Sequence, residues 1–419
     1  MPYAQFTTQD RLRRIGAGPT VFFSYPQGVD PRRIGGTFAR PDATTCATYI
    51  DVNGVVQTVA ANIPRNAHFV PGQTALGPTL LLEGSRKNHC LYGRDLSNAA
   101  WTKRGTASCA LTATGVDGTA NSATNVTGLG ASGVNDIYQA GSGTTIANTA
   151  RFEPSFYIKK VTASGTMQMV NTVGAANGQW AINFATLGSG WERITRNHAA
   201  VTVTTEFTGD GSTNNQPQFY ASAGGPLAFA IDGVQCELGT FSSSVLFTTS
   251  AAVTRAADSL YWAFLPVPQA MTVYADFVDL GLAASGSSPS WYLFDIGTNA
   301  TAAAFLCQQS GGKYSGQYYS AGGNLVATLG TTPAYGNRTE IRCALDALNA
   351  TTMTAGQSIN GAAETTATSA TAGTYPSGFS QANLFVANAQ NGSAPSFLAL
   401  RSLKVASGVQ TMTTMRAIP

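Results

Sequence analysis

The sequence predicts an all-β chain: two tandem β-sandwich domains of jelly-roll or lectin-like type, behind an irregular, partly β N-terminal segment. Three observations predict it. Charged residues make up 11% of the 419 positions, well below the roughly 25% of an average soluble domain, so Thr, Ser, Asn, Gln and Gly must finish the surface. The 45 glycines against 7 methionines suit short strands joined by tight turns better than long helices. Apolar residues also recur in short alternating runs bounded by Gly, Asn or Pro, the signature of half-buried strands.

Residues 1–80 form the N-terminal attachment or assembly segment. Strands are expected over 20–25 and 46–59, the second interrupted by Asp51-Val52-Asn53-Gly54, where Asn-Gly signals a hairpin turn. Between them lie stretches such as QGVDPRRIGGTFARPD, whose Pro and Gly break any regular element. A segment this poor in continuous apolar pattern must borrow its core from a neighbouring domain or subunit. Its arginines, Arg11, Arg13, Arg14, Arg32, Arg33 and Arg40, are the expected assembly contacts, because a guanidinium fork holds carboxylates and carbonyls of a neighbouring chain.

Residues 81–260 follow as the first sandwich. The run Phe152 to Lys160 begins irregularly at Pro154 and becomes an apolar strand, and further strands are read over 166–173, 180–184, 191–195, 200–207, 216–221 and 227–234. A boundary falls at Val253-Thr254-Arg255-Ala256-Ala257-Asp258. The second sandwich, 261–419, carries strands over 271–278, 290–296, 303–308, 316–320, 325–329, 338–345, 353–359, 382–387 and 397–405, with the Ala- and Thr-rich stretch 360–373 bridging two of them. No obvious helix is read beyond a short turn at 346–349.

Composition also bounds function. A net charge of +3, from 24 Lys and Arg against 21 Asp and Glu, is too balanced to indicate nucleic acid or an anionic membrane as partner. No apolar run reaches the ~18 residues of a membrane helix, and the start MPYAQFTTQDRLRR lacks an apolar signal region. The expected setting is assembly in a cytoplasm. Six cysteines at 46, 90, 109, 236, 307 and 343 show no CxxC spacing and read as core thiols. The three histidines, His68, His89 and His198, stand apart from one another and from other metal ligands, so no metal, cofactor or histidine-based triad is expected.

Three stretches resemble tailed-phage virion proteins that carry carbohydrate-binding-like jelly rolls followed by concanavalin-A-like or laminin-G-like sandwiches. The first runs from Phe38-Ala39-Arg40-Pro41 through the Asn53-Gly54 hairpin to Asn62-Ile63-Pro64-Arg65. The second is Leu80-Leu81-Leu82-Glu83-Gly84-Ser85-Arg86-Lys87-Asn88, which continues to Trp101. The third is Gln235-Cys236-Glu237-Leu238-Gly239, which leads to Thr254-Arg255-Ala256-Ala257-Asp258. Where the resembled proteins have Asn-Leu-Leu after the joint, this chain has Asn88-His89-Cys90-Leu91.

The resemblance implies a non-enzymatic structural component of a virion, a head fibre, decoration protein or tail-associated fibre. Its expected partners are other phage structural proteins and copies of itself, a homotrimer being the commonest form. Within the motifs, Glu83 with Arg86 and Glu237 with Arg255 are the expected charge pairs holding module seams. Two alternatives are a host-glycan adhesin and a polysaccharide depolymerase. For the adhesin, Tyr318, Tyr319 and Trp291 are the ligand-binding candidates: adjacent strand residues face opposite sides, so one tyrosine of the pair is expected at the surface. A depolymerase would need two carboxyls about 5 to 9 Å apart, and no pair is marked among Glu153, Glu192, Glu206, Asp276 and Asp295.

Overall fold

A computed structural model describes residues 21–42, 46–139, 151–171, 178–208, 217–263, 270–280, 291–299, 303–310, 313–320, 323–346, 352–370, 383–387 and 397–419. Their regular structure is almost entirely antiparallel strand. The chain divides into two compact units, neither of which is continuous. One gathers Met1–Pro41, Asn62–Gly84 and Ala257–Pro419; the other comprises Asp42–Ala61 and Ser85–Ala256. The consecutive segments 1–80, 81–260 and 261–419 are thereby redistributed. The Asn53-Gly54 hairpin belongs with the middle of the chain, and the rest of the described N-terminal part belongs with its end.

The physical reason lies in the apolar content of the early strands. Val21–Tyr25, Gly36–Ala39, Arg65–His68 and Thr79–Leu82 are only four or five residues each and cannot close a core together. They add to two larger sheets instead. Val21–Tyr25 and Thr79–Leu82 both pair with Leu398–Ser407, and Arg65–His68 pairs with Thr79–Leu82. The rest of that eight-stranded sheet is Ala270–Asp279, Arg338–Asp346, Thr352–Ile359 and Thr365–Ala370. Gly36–Ala39 pairs with Ser259–Ala263 at the edge of a seven-stranded sheet completed by Asn383–Val386, Trp291–Asn299, Ala303–Ser310, Lys313–Ser320 and Gly323–Thr328.

One hydrophobic core joins these two sheets. Phe23, Tyr25, Phe38, Leu80 and Leu82 enter it beside Val273, Phe277, Phe294, Leu345 and Val405. The Trp262 and Phe23 rings meet at 4.7 Å, tilted by 55°. A short helix missed by the sequence reading, Met412–Ala417, is capped by Thr411 and buries Met412 and Met415 beside Tyr274 and Ala406. The stretch read as a bridge between strands contains an edge strand, Thr365–Ala370.

The second unit is a sandwich of a five-stranded sheet, in the order Glu192–Ile194, Phe152–Lys160, Leu227–Leu238, Ala123–Leu129, Ser108–Ala113, and a six-stranded one, in the order Val201–Thr205, Gln179–Asn183, Thr166–Asn171, Pro217–Ala223, Ile137–Gln139, Trp101–Lys103. The chain passes repeatedly between the sheets, as in a jelly roll. Trp101, Phe156, Trp180, Phe219 and Phe229 fill the core. The hairpin Ala47–Ile50 with Val56–Val59 turns as expected: Gly54 sits at φ 77°, and Asp51 Oδ1 accepts from the Asn53 and Val55 amides.

Candidate functional site

Four residues from the resemblance motifs converge in the first unit. Arg40 follows Gly36–Ala39, Arg65 opens Arg65–His68, Glu83 follows Thr79–Leu82, and Asp258 precedes Ser259–Ala263. All are buried, at 0%, 1%, 4% and 3% exposure. Arg65 pairs with both Glu83 and Asp258, while Arg40 Nη1 lies 3.3 Å from Asp258 Oδ1. The Glu83 amide donates to Asp258 Oδ2 at 2.8 Å, and the Asp258 amide donates to the Glu83 carbonyl at 2.8 Å. Burial opposes the Arg65 charge, yet the Asp258 and Glu83 carboxylates outweigh it and raise its pKa.

Two cations and two anions thus neutralise one another out of water. Glu83, expected beside Arg86, pairs with Arg65, and Arg86 lies over the Phe241 ring at 4.6 Å. Arg40, expected as an assembly contact, is an interior ion instead.

In the second unit the Gln-x-Glu motif folds the following loop back onto its own strand. Glu237 accepts from the Ser243 amide at 2.8 Å and the Ser243 hydroxyl at 2.6 Å, and Gln235 Oε1 accepts from the Leu246 amide at 2.8 Å. Arg255 donates to the Ser244 hydroxyl at 2.8 Å and reaches the Ser243 hydroxyl at 3.4 Å. Ser243 thus stands between Glu237 and Arg255, the expected pair. Burial raises the Glu237 pKa, against the Arg86 charge, the Ser243 bonds and the Arg255 charge.

Directly across the sheet from Glu237 stands Glu153. It is 3% exposed, and its Oε1 has no hydrogen-bond partner among the described residues. Burial pushes its pKa up to about 8, against the Arg196 charge and with help from Glu206. Glu206 is held by Arg151 at 2.8 Å and Arg196 at 2.5 Å. Two glutamates side by side would suit a hydrolase, but both are enclosed, and Glu237 is saturated by its own loop; a polysaccharide has no approach to this pair.

Because the folded pKa of Glu153 exceeds its unfolded value near 4.5, folding takes up a proton between those limits. Its favourable contribution is complete below pH 4.5 and is lost as pH rises through 8. Glu153→Gln should remove this slope, about 1.4 kcal/mol per pH unit between pH 5 and 8. Urea denaturation at pH 5, 7 and 9 measures it: the variant gains on the parent at each step, and parallel pH profiles would refute the assignment.

The other expected site residues are not brought together. Tyr318 is 1% exposed and lies in the first unit's core, which corrects its role as a ligand platform. The side chains of Tyr319 and Trp291, and the whole of Arg11, Arg13 and Arg14, lie outside the described residues. Arg33 is exposed, and Arg32 turns back on Asp30 at 2.6 Å, where Asp30 caps the turn Pro31–Ile34. His198 lies 3.0 Å from Glu192, and burial lowers His89 to about 4. Among the described residues no three His, Cys, Asp or Glu are grouped to hold a metal ion, and no helix is long and apolar enough to cross a membrane.

Sequence reasoning missed Arg65 and Asp258 as ion partners and Ser243 as the bridge, although all but Ser243 stand in the quoted motifs. The signal was a charged residue beside each of the Pro, Gly and Ala interruptions, as in Ala39-Arg40-Pro41 and Pro64-Arg65.

No family model matches this sequence, and no curated protein matches it. Among solved structures it is similar to domains LG4-5 of the mouse laminin α1 chain, at 13% identity and a TM-score of 0.25 over 68% of this chain and 90% of that one. It is also similar to peanut lectin with a 9mer peptide, at 10% identity and TM-score 0.23 over 37% and 82%. A third is the LG1-3 region of the laminin α2 chain, at 10% and 0.25 over 64% and 63%.

Proposed function

We propose that this chain is a non-enzymatic structural component of a bacteriophage particle, displayed on the head or tail surface and attached through its N-terminal residues. One observation carries the proposal. The charged and amide side chains of the virion-like motifs, Arg40, Arg65, Glu83, Gln235, Glu237, Arg255 and Asp258, are buried and engaged in holding strands and a loop. What those motifs encode is therefore architecture, and a durable, weakly charged β-surface is what a particle component needs.

Truncation tests attachment through the N-terminal residues. Truncation before Val21 removes Arg11, Arg13 and Arg14 but spares Val21–Tyr25 and Gly36–Ala39, whereas a longer deletion through residue 37 strips sheet strands. A chain starting at residue 20 should fold with an unchanged melting temperature and be lost from purified particles, as read by mass spectrometry of washed virions and by cryo-EM. Incorporation at full copy number would refute attachment through that arm; absence of the intact chain from washed particles would refute the virion role itself.

A further inference from the structure

Two pairs of cysteines meet in the interiors, one pair in each unit, though all six cysteines are free thiols in this structure. In the second unit the amides of Cys90 and Cys236 both donate to one acceptor, Asn88 Oδ1, at 3.0 and 3.1 Å, and the His89 amide donates to the Cys236 carbonyl at 3.0 Å. The shared acceptor and this backbone bond set the two residues side by side, the arrangement a disulfide requires. Both side chains lie in the same hydrophobic core.

The first unit reaches the same result across its two sheets. Cys307 lies on Ala303–Ser310 and Cys343 on Arg338–Asp346, and both side chains enter one hydrophobic core. Cys307 is the cross-strand partner of Gly316. A Cβ on Gly316 would lie 3.1 Å from Cys343 Sγ and 2.5 Å from Met353 Cε, so the bare glycine is what lets the opposite sheet bring its sulfur beside Cys307. Both pairs are buried, at 1% and 6% for Cys90 and Cys236 and 0% for Cys307 and Cys343.

We propose that each sandwich core holds a dithiol poised to close into an intramolecular disulfide, Cys90–Cys236 and Cys307–Cys343, when the chain meets an oxidising thiol–disulfide couple such as oxidised glutathione. One thiolate attacks the glutathione disulfide and releases one glutathione. The second thiolate attacks the resulting mixed disulfide and releases the other. Two protons leave the protein thiols, and two electrons pass to the oxidant, which is reduced to two thiols. Burial shields both pairs in the closed fold, so closure belongs to the opening sandwich or the folding chain. Reducing conditions leave the fold intact, and an oxidising medium staples it.

The test uses the full chain, refolded from urea with reduced and oxidised glutathione and, in parallel, with reductant alone. The expected oxidised product is lighter by about 4 Da, is crosslinked at 90–236 and 307–343 on a non-reducing peptide map, and melts about 5 °C or more above the reduced form. Cys46 and Cys109 remain open to alkylation after denaturation. Cys236→Ser and Cys343→Ser each lose one bridge and keep the other. A product without bridges, bridges through Cys46 or Cys109, or crosslinked protein that melts below the reduced form would overturn the proposal.

Discussion

A chain from which residues 42–61 and 85–256 are removed, each replaced by a short Gly-Ser linker, is expected to fold cooperatively, whereas the contiguous fragment 262–419 is expected to be unfolded. The two excision points are already closed by hydrogen bonds within the first unit. At one, the Asn62 amide donates to the Arg40 carbonyl at 3.1 Å, and the Arg40 amide donates to Asn62 Oδ1 at 2.9 Å. At the other, Glu83 and Asp258 exchange amide bonds at 2.8 Å. Short linkers therefore span both gaps without strain. The fragment, by contrast, lacks Val21–Tyr25, Gly36–Ala39, Arg65–His68 and Thr79–Leu82.

With those strands go Phe23, Tyr25, Phe38, Leu80 and Leu82 from the core. At roughly 1.5 to 3 kcal/mol for each buried side chain, the loss is on the order of 10 kcal/mol, comparable to the whole stability of a domain. Circular dichroism and calorimetry of the two shortened chains decide the matter, and a cooperative melt from 262–419 alone would contradict the discontinuous core.

Asp258→Ala is expected to cost about 5 kcal/mol or more in the first unit. Removing one partner of a buried ion pair leaves an uncompensated charge, at roughly 3 to 5 kcal/mol, and Asp258 serves two arginines and the Glu83 amide at once. Asp258→Asn should be nearly as damaging, because it restores volume without charge. A double variant, Asp258→Leu with Arg40→Met, removes one cation with the anion and leaves Arg65 paired to Glu83; it should recover much of the loss. Urea denaturation of the four proteins reads the coupling. An Asp258→Ala variant within 1 kcal/mol of the parent would show that the cluster is solvated and dispensable.

Most strands were legible because apolar and polar residues alternate along them. Ala270–Asp279 and Arg338–Asp346 keep that alternation although both their faces are buried, and the Asn53-Gly54 turn was legible from its residue types. The edge strand Thr365–Ala370 was not, because its residues are exposed or half-buried throughout and its Ala and Thr carry no apolar contrast. The helix Met412–Ala417 is too short at six residues to display a helical period.

Sites were harder to read than strands. Arg86 is near Glu83 in sequence, whereas Arg65 and, through backbone bonds, Asp258 reach Glu83 from distant segments. Spacing along a strand shows which face a residue shares, but not which distant segment arrives opposite it. Tyr318 was ambiguous for the same reason: alternation told that two neighbouring tyrosines part, without telling which one turns inward.

The pairing of Val21 with Ala406 also orders events during synthesis. The middle sandwich ends at Ala256 and can close while the remaining third of the chain is still being made. The outer one must keep Phe23 and Leu80 uncovered until Leu398–Ser407 has left the ribosome, since the strand that receives its first residues is nearly its last. A prematurely terminated chain therefore carries one finished domain and one set of exposed apolar strands, a form that proteases and chaperones distinguish from the complete product.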